Sequence, residues 1–210
     1  MTVDTELARY LYVERMKAAP QFKRLHAEPL WRPGEQDIAG FIHDEVVRQY
    51  HDPAIESDGG VRIRQMRNAW EYAQAVENTL GHFDPTVEDI LAIAGCVEPE
   101  TNSLGFRQCA VYIGDRMGVP YKDVPELVER LVQVLPVAPE MYRVGFDLTT
   151  TTVRTQFQNI RTADDWYILF QFIHPFGDGN GRTGKILHNW LLETLDDPVL
   201  VADYFGGNNP

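Results

Sequence analysis

The densest group of chemically useful side chains lies between residues 174 and 185, where the sequence reads HPFGDGNGRTGK. Three glycines within five positions let the backbone turn sharply and approach a ligand closely. A helix is predicted to begin in this segment, and the N–H groups of its first turn, at the positive end of the helix dipole, point at one place. The segment therefore predicts a binding site for an anion.

Charged side chains around these glycines favour a polyphosphate as the anion. Arg182 and Lys185 stand three residues apart on the first turn of the predicted helix, and Asn180 adds a polar donor. Asp178 offers a hard carboxylate for a phosphate-bound Mg²⁺, which usually takes one or two carboxylates and leaves its other positions to phosphate oxygens and water. These residue types together predict a magnesium–nucleotide site.

His174 is the candidate catalyst. Its imidazole is the one side chain whose ordinary pKa suits proton abstraction near neutral pH, and the loop can hold it beside a phosphorus atom. An isolated histidine before a proline at a helix end is more often a structural residue. Because the complete loop follows it, we interpret His174 as the base in a transfer to a hydroxyl.

Helices are predicted on both sides of the loop. Asp164 is predicted to cap an apolar helix that covers residues 166–173 and ends at His174. After the loop, an amphipathic helix carries its apolar side chains at Ile186, Leu187, Trp190 and Leu191.

The rest of the chain is predicted to be mainly helical. The segment 103–114 is the exception, because its alternation and β-branched residues predict a short extended piece or hairpin. Residues 54–60 are polar and contain glycine, so we interpret them as a linker between a helical extension (1–60) and a domain (61–210). Four other helices are predicted, over residues 35–50, over residues 66–80, after an N-cap at Thr86 and after Pro125.

The loop and the predicted hairpin resemble two parts of Fic-family proteins. Residues 174–185 resemble the family signature H-P-F-x-D/E-G-N-G-R-x-x-R at every specified position but the last. Similarity to the family spans about residues 62–200. Upstream of the loop, six residues resemble the β-hairpin flap with which Fic proteins align a target segment by strand addition, namely Gly105, Phe106, Arg107, Val111, Tyr112 and Ile113.

The resemblance implies a mostly α-helical fold, a Fic-like helical bundle with a short β-hairpin flap. It also implies a protein adenylyltransferase that moves AMP from ATP, its substrate, onto a hydroxyl side chain of a target protein, with Mg²⁺ as cofactor. In this scheme His174 deprotonates the hydroxyl and Asp178 holds Mg²⁺.

The resemblance further implies roles for the residues that follow. The amides of Gly179, Asn180 and Gly181 would cradle the nucleotide phosphates. Asn180 and Arg182 would position the α- and β-phosphates, while Phe176 would pack the loop onto the core.

Lys185 departs from the family signature, which usually has an arginine that contacts the γ-phosphate and, in autoinhibited members, pairs with an inhibitory glutamate. Lysine keeps the charge but loses the bidentate fork. Looser binding of ATP, preference for another nucleotide and loss of activity all stay open on the sequence. The family's inhibitory pattern S/T-x-x-x-E-G/N is also absent, since its nearest match, ending at Glu77-Asn78, has Ala73 at the first position. Inhibition from within the chain is therefore not indicated. A regulatory partner stays open on the sequence, and the target protein is unknown.

Three alternatives compete with an active adenylyltransferase. Residues 179–185 fit the P-loop pattern G-x-x-x-x-G-K, but Ile186 replaces the Ser or Thr that binds Mg²⁺, and residues 186–210 are too few for a Walker B strand and a parallel sheet. A Fic-like fold could also be a non-catalytic binding module, or could transfer another nucleotide or a phosphate. For Arg182 and Lys185, the alternative without a binding role is that both lie on a solvated helix face.

The composition of the chain limits the partners and the location that these interpretations allow. The chain has 31 acidic and 19 basic residues and a net charge of −12, which argues against nucleic-acid binding. No apolar run approaches the roughly 18–20 residues that span a bilayer, and the first residues lack the features of a signal peptide. We expect a cytoplasmic protein without membrane or nucleic-acid partners, in which Cys96 and Cys109 are reduced, buried and inert.

Overall fold

Helices form most of the structure, a computed structural model that describes residues 38–50, 55–80, 84–113, 116–134, 157, 160 and 162–199. The mostly α-helical fold with a short hairpin, predicted above, is confirmed. In the described residues the helices are α1 (Ile38–Tyr50), α2 (Ile55–Leu80), α3 (Val87–Val97), α4 (Pro99–Asn102), α5 (Val124–Val132), α6 (Ala163–Ile173) and α7 (Asn180–Leu191), with strands β1 (Tyr112–Ile113) and β2 (Arg116–Met117) and a 3₁₀ turn at Tyr121–Asp123.

The core lies between α2, α3, α6 and α7. Helix α2 packs against α1, α3 and α7, while α7 also contacts α3 and α6. Trp70 of α2 is fully buried, and its indole Nε1 donates a hydrogen bond to the carbonyl oxygen of Leu195 at 2.9 Å. The ring of Phe41 in α1 lies 5.2 Å from that of Trp70, so α1 contributes to the same core.

The segment interpreted as a linker is mostly helical. Helix α2 begins at Ile55, so residues 55–60 belong to α2. Helices α1 and α2 pack directly against each other. The predictions for residues 1–37 lie outside the described residues.

N-caps were predicted for two core helices, α3 and α6. Thr86 caps α3 as predicted: its hydroxyl accepts from the N–H of Asp89, and the Asp89 carboxylate accepts from the N–H of Thr86. The cap of α6 was predicted at Asp164 and is instead Thr162, which makes the same exchange with Asp165. A threonine three residues before an aspartate satisfies two N–H groups, whereas a cap at Asp164 would lack that reciprocal partner.

The hairpin lies later in the sequence than predicted. Strands β1 and β2 are antiparallel, with Tyr112 opposite Met117 and Ile113 opposite Arg116. The residues from 105 to 111 lead into the hairpin without strand geometry. Cys109 in this lead is exposed, contrary to the expectation that both cysteines are buried, while Cys96 is buried in α3.

In the part of the chain that the structure describes, no helix is both long enough and apolar enough to cross a membrane.

Helices α6 and α7 approach closely at Gly184. A Cβ atom at this position would lie 2.4 Å from Nε2 of Gln171 and 2.9 Å from Cε2 of Tyr167. Real Cβ atoms do not come this close to their neighbours, so only glycine allows the two helices to pack at this distance. This packing sets where α7 begins relative to the end of α6.

Gly184→Ala is therefore expected to lower the free energy of unfolding by about 1–3 kcal/mol, as overpacking does in tight cores. Gly95→Ala in α3 is the matched control, because a Cβ there meets nothing within 4 Å. That substitution should raise stability by about 0.5–1 kcal/mol, the usual gain of alanine over glycine in a helix. Urea unfolding measures both, and a Gly184→Ala protein as stable as wild type would contradict the packing argument.

Candidate functional site

Helix α6 ends in a strained turn at His174. This residue is the C-cap of the helix and has φ 47° and ψ 63°, in the left-handed region. A residue with a Cβ atom adopts this conformation at a cost of order 1–3 kcal/mol, which the surrounding structure must offset. The turn sends the chain through Pro175 toward α7 and leaves the imidazole at the junction.

Arg107 supplies the contacts that hold this turn. Its backbone N–H donates to the carbonyl oxygen of Pro175 at 3.0 Å, and its Nε donates to the carbonyl oxygen of His174 at 2.7 Å. Arg107 is only 5% exposed. It was predicted as a target-binding residue of the flap, but its described hydrogen bonds are made with main-chain oxygens, inside the protein.

The imidazole of His174 is held in one orientation. Its Nδ1 lies 3.3 Å from the carbonyl oxygen of Gln171, so Nδ1 carries the hydrogen and donates, which leaves the lone pair on Nε2. Burial lowers the pKa of His174 below its ordinary value; the bond to Gln171 and the charge of Asp178 oppose this, while the charge of Arg107 adds to it. The ring is therefore neutral and able to accept a proton at neutral pH.

Asn180 shapes the inside of the loop. Its Oδ1 accepts from the N–H of Phe176 at 2.9 Å, and its Nδ2 donates to the carbonyl oxygen of Phe176 at 3.0 Å. The side chain of Phe176 is fully buried, 5.7 Å from the ring of Phe106. These contacts fix the loop on the core, and the phosphate contact predicted for the Asn180 side chain stays a prediction.

Asp178 lies at the outer edge of the loop. Its side chain is 46% exposed, and its Oδ1 accepts from the N–H of Gly179 at 2.6 Å. Asn102, at the end of α4, donates from Nδ2 to the main-chain oxygen of Asp178 at 2.9 Å and so anchors the loop. Among the described residues no cluster of three or more His, Cys, Asp or Glu could hold a metal by itself. A half-exposed carboxylate on a fixed backbone does fit a Mg²⁺ whose other ligands are phosphate oxygens and water.

The amides that follow Asp178 lie at the start of α7. Gly179 is the N-cap of α7 with φ 73°, and the first hydrogen bond of the helix runs from the N–H of Thr183 to the oxygen of Gly179. The amides of Asn180 and Gly181 therefore precede the helical ladder, at the positive end of the dipole. A Cβ at Gly179 would lie 2.7 Å from Cγ1 of Val97, so the close approach of α3 requires glycine here.

Arg182 is buried and paired. Only 1% of its side chain is exposed, and its Nη2 lies 2.5 Å from Oε1 of Glu98 and 4.0 Å from Oδ1 of Asp178. Glu98 also accepts from Nη1 of Arg62 at 3.1 Å. One carboxylate at the end of α3 thus holds two guanidinium groups next to the loop.

Lys185 has an acidic partner of its own. Its ammonium group forms a buried ion pair with the carboxylate of Glu45 in α1. Arg182 and Lys185 are buried, which rules out the alternative that they lie on a solvated helix face. Each of these two cations, which were predicted to bind phosphate, is paired with a carboxylate from another part of the chain.

Sequence reasoning missed these two glutamates. Glu45 follows the buried Ile42 by three residues and precedes the buried Val46, so it occupies the apolar side of α1. A charged residue at such a position requires a buried partner of opposite charge, and that signal was present in the sequence. Glu98 had no comparable signal, because it lies just beyond the last turn of α3.

The remaining residues predicted for the flap lie in the segment that precedes the hairpin and on strand β1. Gly105 has φ 93°, which a side chain would not tolerate well, and Phe106 is buried against the loop. Tyr112 is 72% exposed and faces Met117, which is 67% exposed, across the hairpin. Val111 and Ile113 are half-buried.

The P-loop alternative is wrong. A P-loop follows a β-strand of a parallel sheet, whereas residues 179–185 follow helix α6 and enter α7. The described strands form a two-stranded antiparallel hairpin.

Comparison with known proteins gives a family match. The profile of the Fic/DOC family matches residues 35–192. No curated protein matches the sequence significantly. Among solved structures, the fold is similar to that of a Fic-1 fragment from C. elegans, with 17% identity and a TM-score of 0.52 over 92% of this chain and 61% of that one.

Two other structures resemble the chain. A variant of the same C. elegans fragment has 18% identity and a TM-score of 0.52, over 94% of this chain and 60% of that one. A Fic family protein from Desulfovibrio desulfuricans G20 has 19% identity and a TM-score of 0.49, over 92% of this chain and 58% of that one. The present chain thus spans about three fifths of the length of these proteins.

Titration of His174 tests the electrostatics of the site. The titration is followed by NMR on protein with labelled histidine, and His174→Ala assigns the signal. The pKa of the His174 imidazole should lie below that of a histidine in an unfolded peptide, because burial disfavours the charged ring. A fall in pH toward that lowered pKa should protonate Nε2 and remove the base. A titration at or above the peptide value would contradict a neutral, buried base.

Proposed function

Because this chain belongs to the Fic/DOC family, we propose that it is a protein adenylyltransferase, which transfers AMP from ATP to a hydroxyl side chain of a target protein. Members of this family generally transfer a nucleoside monophosphate onto proteins. The observation that carries the proposal is the position of His174. Its neutral imidazole lies at the junction that leads to the first amides of α7, with the half-exposed Asp178 between them.

His174 acts as the general base. Its Nε2 accepts the proton of the target hydroxyl, because Nδ1 is committed to the oxygen of Gln171. The hydroxyl oxygen forms a bond to the α-phosphorus, and the bond from that phosphorus to the bridging oxygen of pyrophosphate breaks. The products are a phosphodiester of AMP with the target side chain and pyrophosphate.

The α7 end of the loop binds the phosphates. The amides of Asn180 and Gly181 offer donors at the positive end of the helix dipole, and Arg182 adds a guanidinium fixed by Glu98. Asp178 would hold Mg²⁺, which when bound supplies charge neutralisation to the phosphate oxygens. A fixed array of donors reduces the reorganisation needed when charge develops on the leaving pyrophosphate.

Glu45 competes with a nucleotide for Lys185. In this structure the ammonium group is neutralised by a buried carboxylate, so a terminal phosphate reaches Lys185 only if Glu45 gives way. Such an exchange opposes nucleotide binding by the free energy of the ion pair. A glutamate in α1 thus limits nucleotide affinity although the family's inhibitory pattern is absent from the sequence.

The hairpin offers the surface for the target. Tyr112 and Met117 are exposed opposite each other, and both strands have only two residues, so an extended target segment can pair with an edge. Of these two residues, Tyr112 was predicted for target binding, and a target segment paired at the hairpin would bring its hydroxyl toward the loop.

Labelled ATP tests the proposed reaction. Wild type and His174→Ala are incubated in a cell lysate with Mg²⁺ and ATP labelled at the α- or the γ-phosphate, and labelled protein bands are recorded, including self-modification. Wild type should transfer the α-label only, and the variant should lose about 10²–10⁴-fold of the rate, as expected when a general base is removed. Chelation of Mg²⁺ should abolish transfer as well.

Other outcomes of this experiment would contradict the proposal. Transfer of the γ-label would make the protein a kinase, and undiminished α-transfer by His174→Ala would remove its role as base. ATP binding without any label transfer would favour a non-catalytic module, and a repeat with labelled GTP, CTP and UTP distinguishes an enzyme that uses another donor.

Glu45→Gln tests the competition for Lys185. The substitution keeps the shape of the side chain but removes its charge, so the affinity for Mg²⁺-ATP measured by calorimetry should rise about tenfold, which corresponds to about 1.4 kcal/mol. Glu88→Gln, an exposed residue of α3, makes the same change in net charge and should leave the affinity within about twofold. Equal ATP affinity in wild type and Glu45→Gln would show that Glu45 does not compete with the nucleotide.

A further inference from the structure

Arg107 contacts every carbonyl oxygen of the strained turn. Besides the bonds of its N–H to Pro175 and of its Nε to His174, its Nη2 donates to the carbonyl oxygen of Ile173 at 3.3 Å. Three consecutive carbonyl groups at the end of α6 therefore have the same residue as donor. Since His174 lies in the middle of these three, its left-handed backbone is fixed from outside the helix.

The other donors of the guanidinium hold the two ends of the hairpin segment. Nη1 donates to the carbonyl oxygen of Cys109 at 2.7 Å, and Nη2 donates to that of Val119 at 2.6 Å. Cys109 precedes β1 and Val119 follows β2. Between them, the N–H of Gly118 donates to the oxygen of Val111 at 2.9 Å and closes the base of the hairpin.

Only arginine has a side chain that can make this set of contacts. The guanidinium presents five N–H donors in a rigid plane, so Nε, Nη1 and Nη2 can reach carbonyl groups on two segments at once. The lysine ammonium concentrates three donors at one point and cannot bond to both segments in the same way. At 5% exposure, the guanidinium is inside the protein and not on the surface that a target would touch.

We propose that Arg107 is a positioning residue, which fixes the main chain of His174 relative to the hairpin so that a target held by the hairpin meets the base in one geometry. This inference rests on the proposed function. Transfer reactions of this kind depend strongly on placing the attacking group and the base, and a shift of about 1 Å can reduce the rate about 100-fold. Arg107 acts through His174 and through the hairpin strands, without touching the nucleotide.

A positioning role predicts that chemistry and nucleotide binding respond differently. The phosphate-binding end of the loop is fixed by other residues, since Asn180 bonds to Phe176, Asn102 bonds to Asp178, and none of these bonds involves Arg107. Arg107→Lys should therefore lower kcat for α-label transfer about 100-fold or more while the Kd for Mg²⁺-ATP changes by less than about threefold. A purely structural role would weaken both together with the melting temperature.

The experiment compares Arg107→Lys with wild type and with Arg64→Lys, an exposed arginine of α2 as the matched control. Calorimetry gives the Kd for Mg²⁺-ATP, the α-label assay gives kcat and KM, and NMR of ¹⁵N-histidine reports the tautomer of His174. Wild type should show the single Nδ1–H tautomer, and Arg107→Lys should show exchange between the two tautomers, because the turn that aims Nδ1 at Gln171 is released. Arg64→Lys should match wild type in all three.

The readouts separate this inference from the proposed function. If wild type transfers no α-label, the proposed adenylyl transfer fails, and the tautomer of His174 still decides the role of Arg107. An Arg107→Lys protein with wild-type kcat, or with the same single tautomer, would overturn the inference. If the lysine variant does not fold, NMR of wild type decides: Nη protons of Arg107 that are resolved and slow to exchange support the bonds to both segments, whereas free rotation and rapid exchange overturn them.

Discussion

The left-handed turn at His174 is the constraint on which the site depends. Helix α6 ends at this residue, and the loop that follows leads to α7, which begins at Asn180. The turn is unfavourable for a residue with a side chain, so it persists because neighbouring groups hold it. Arg107 does so from the hairpin side, and the close packing of Gly184 against α6 sets the separation of the two helices.

Charge compensation is the second organising feature. The chain carries a net charge of −12, yet the site places Arg182 and Lys185 in the first two turns of α7. Glu98 and Glu45 neutralise these cations from α3 and α1. The two pairs differ in consequence: Glu98 also bonds to Arg62 and so fixes a guanidinium beside the loop, whereas Glu45 occupies the group that a terminal phosphate would take. In the proposed scheme, nucleotide binding is therefore coupled to the packing of α1 through the Lys185–Glu45 ion pair.

The sequence predicted most of the helices and the chemical segment, because these depend on local signals. Periodicity gave α1 and α2, Thr86 identified the start of α3, and the glycine-rich loop placed His174 at a helix end. The beginning of α2 was missed, because residues 55–60 contain two glycines, which have a low helix propensity. The hairpin was placed too early for a similar reason, since two-residue strands leave almost no periodic pattern.

Local sequence patterns could not predict the ion pairs of the site, because the partners lie far apart in the sequence. Lys185 and Glu45 are 140 positions apart, and Arg182 and Glu98 are 84 positions apart. Arg107 was assigned to the target-binding flap by resemblance to the family, while its partners are main-chain oxygens that no side-chain pattern reveals. Composition and spacing identify which groups can react, and the fold decides which of them are already paired.

The central claim is that a turn fixed before the nucleotide binds presents His174 to the phosphates at the start of α7. A crystal structure of the full chain with Mg²⁺ and a non-hydrolysable ATP analogue would test this claim most directly. We expect the α-phosphate at the amides of Asn180 and Gly181, the metal on Asp178, Lys185 released from Glu45, and the His174 turn with its Arg107 bonds unchanged. A nucleotide bound elsewhere, or a turn at His174 that forms a different conformation around it, would contradict this account.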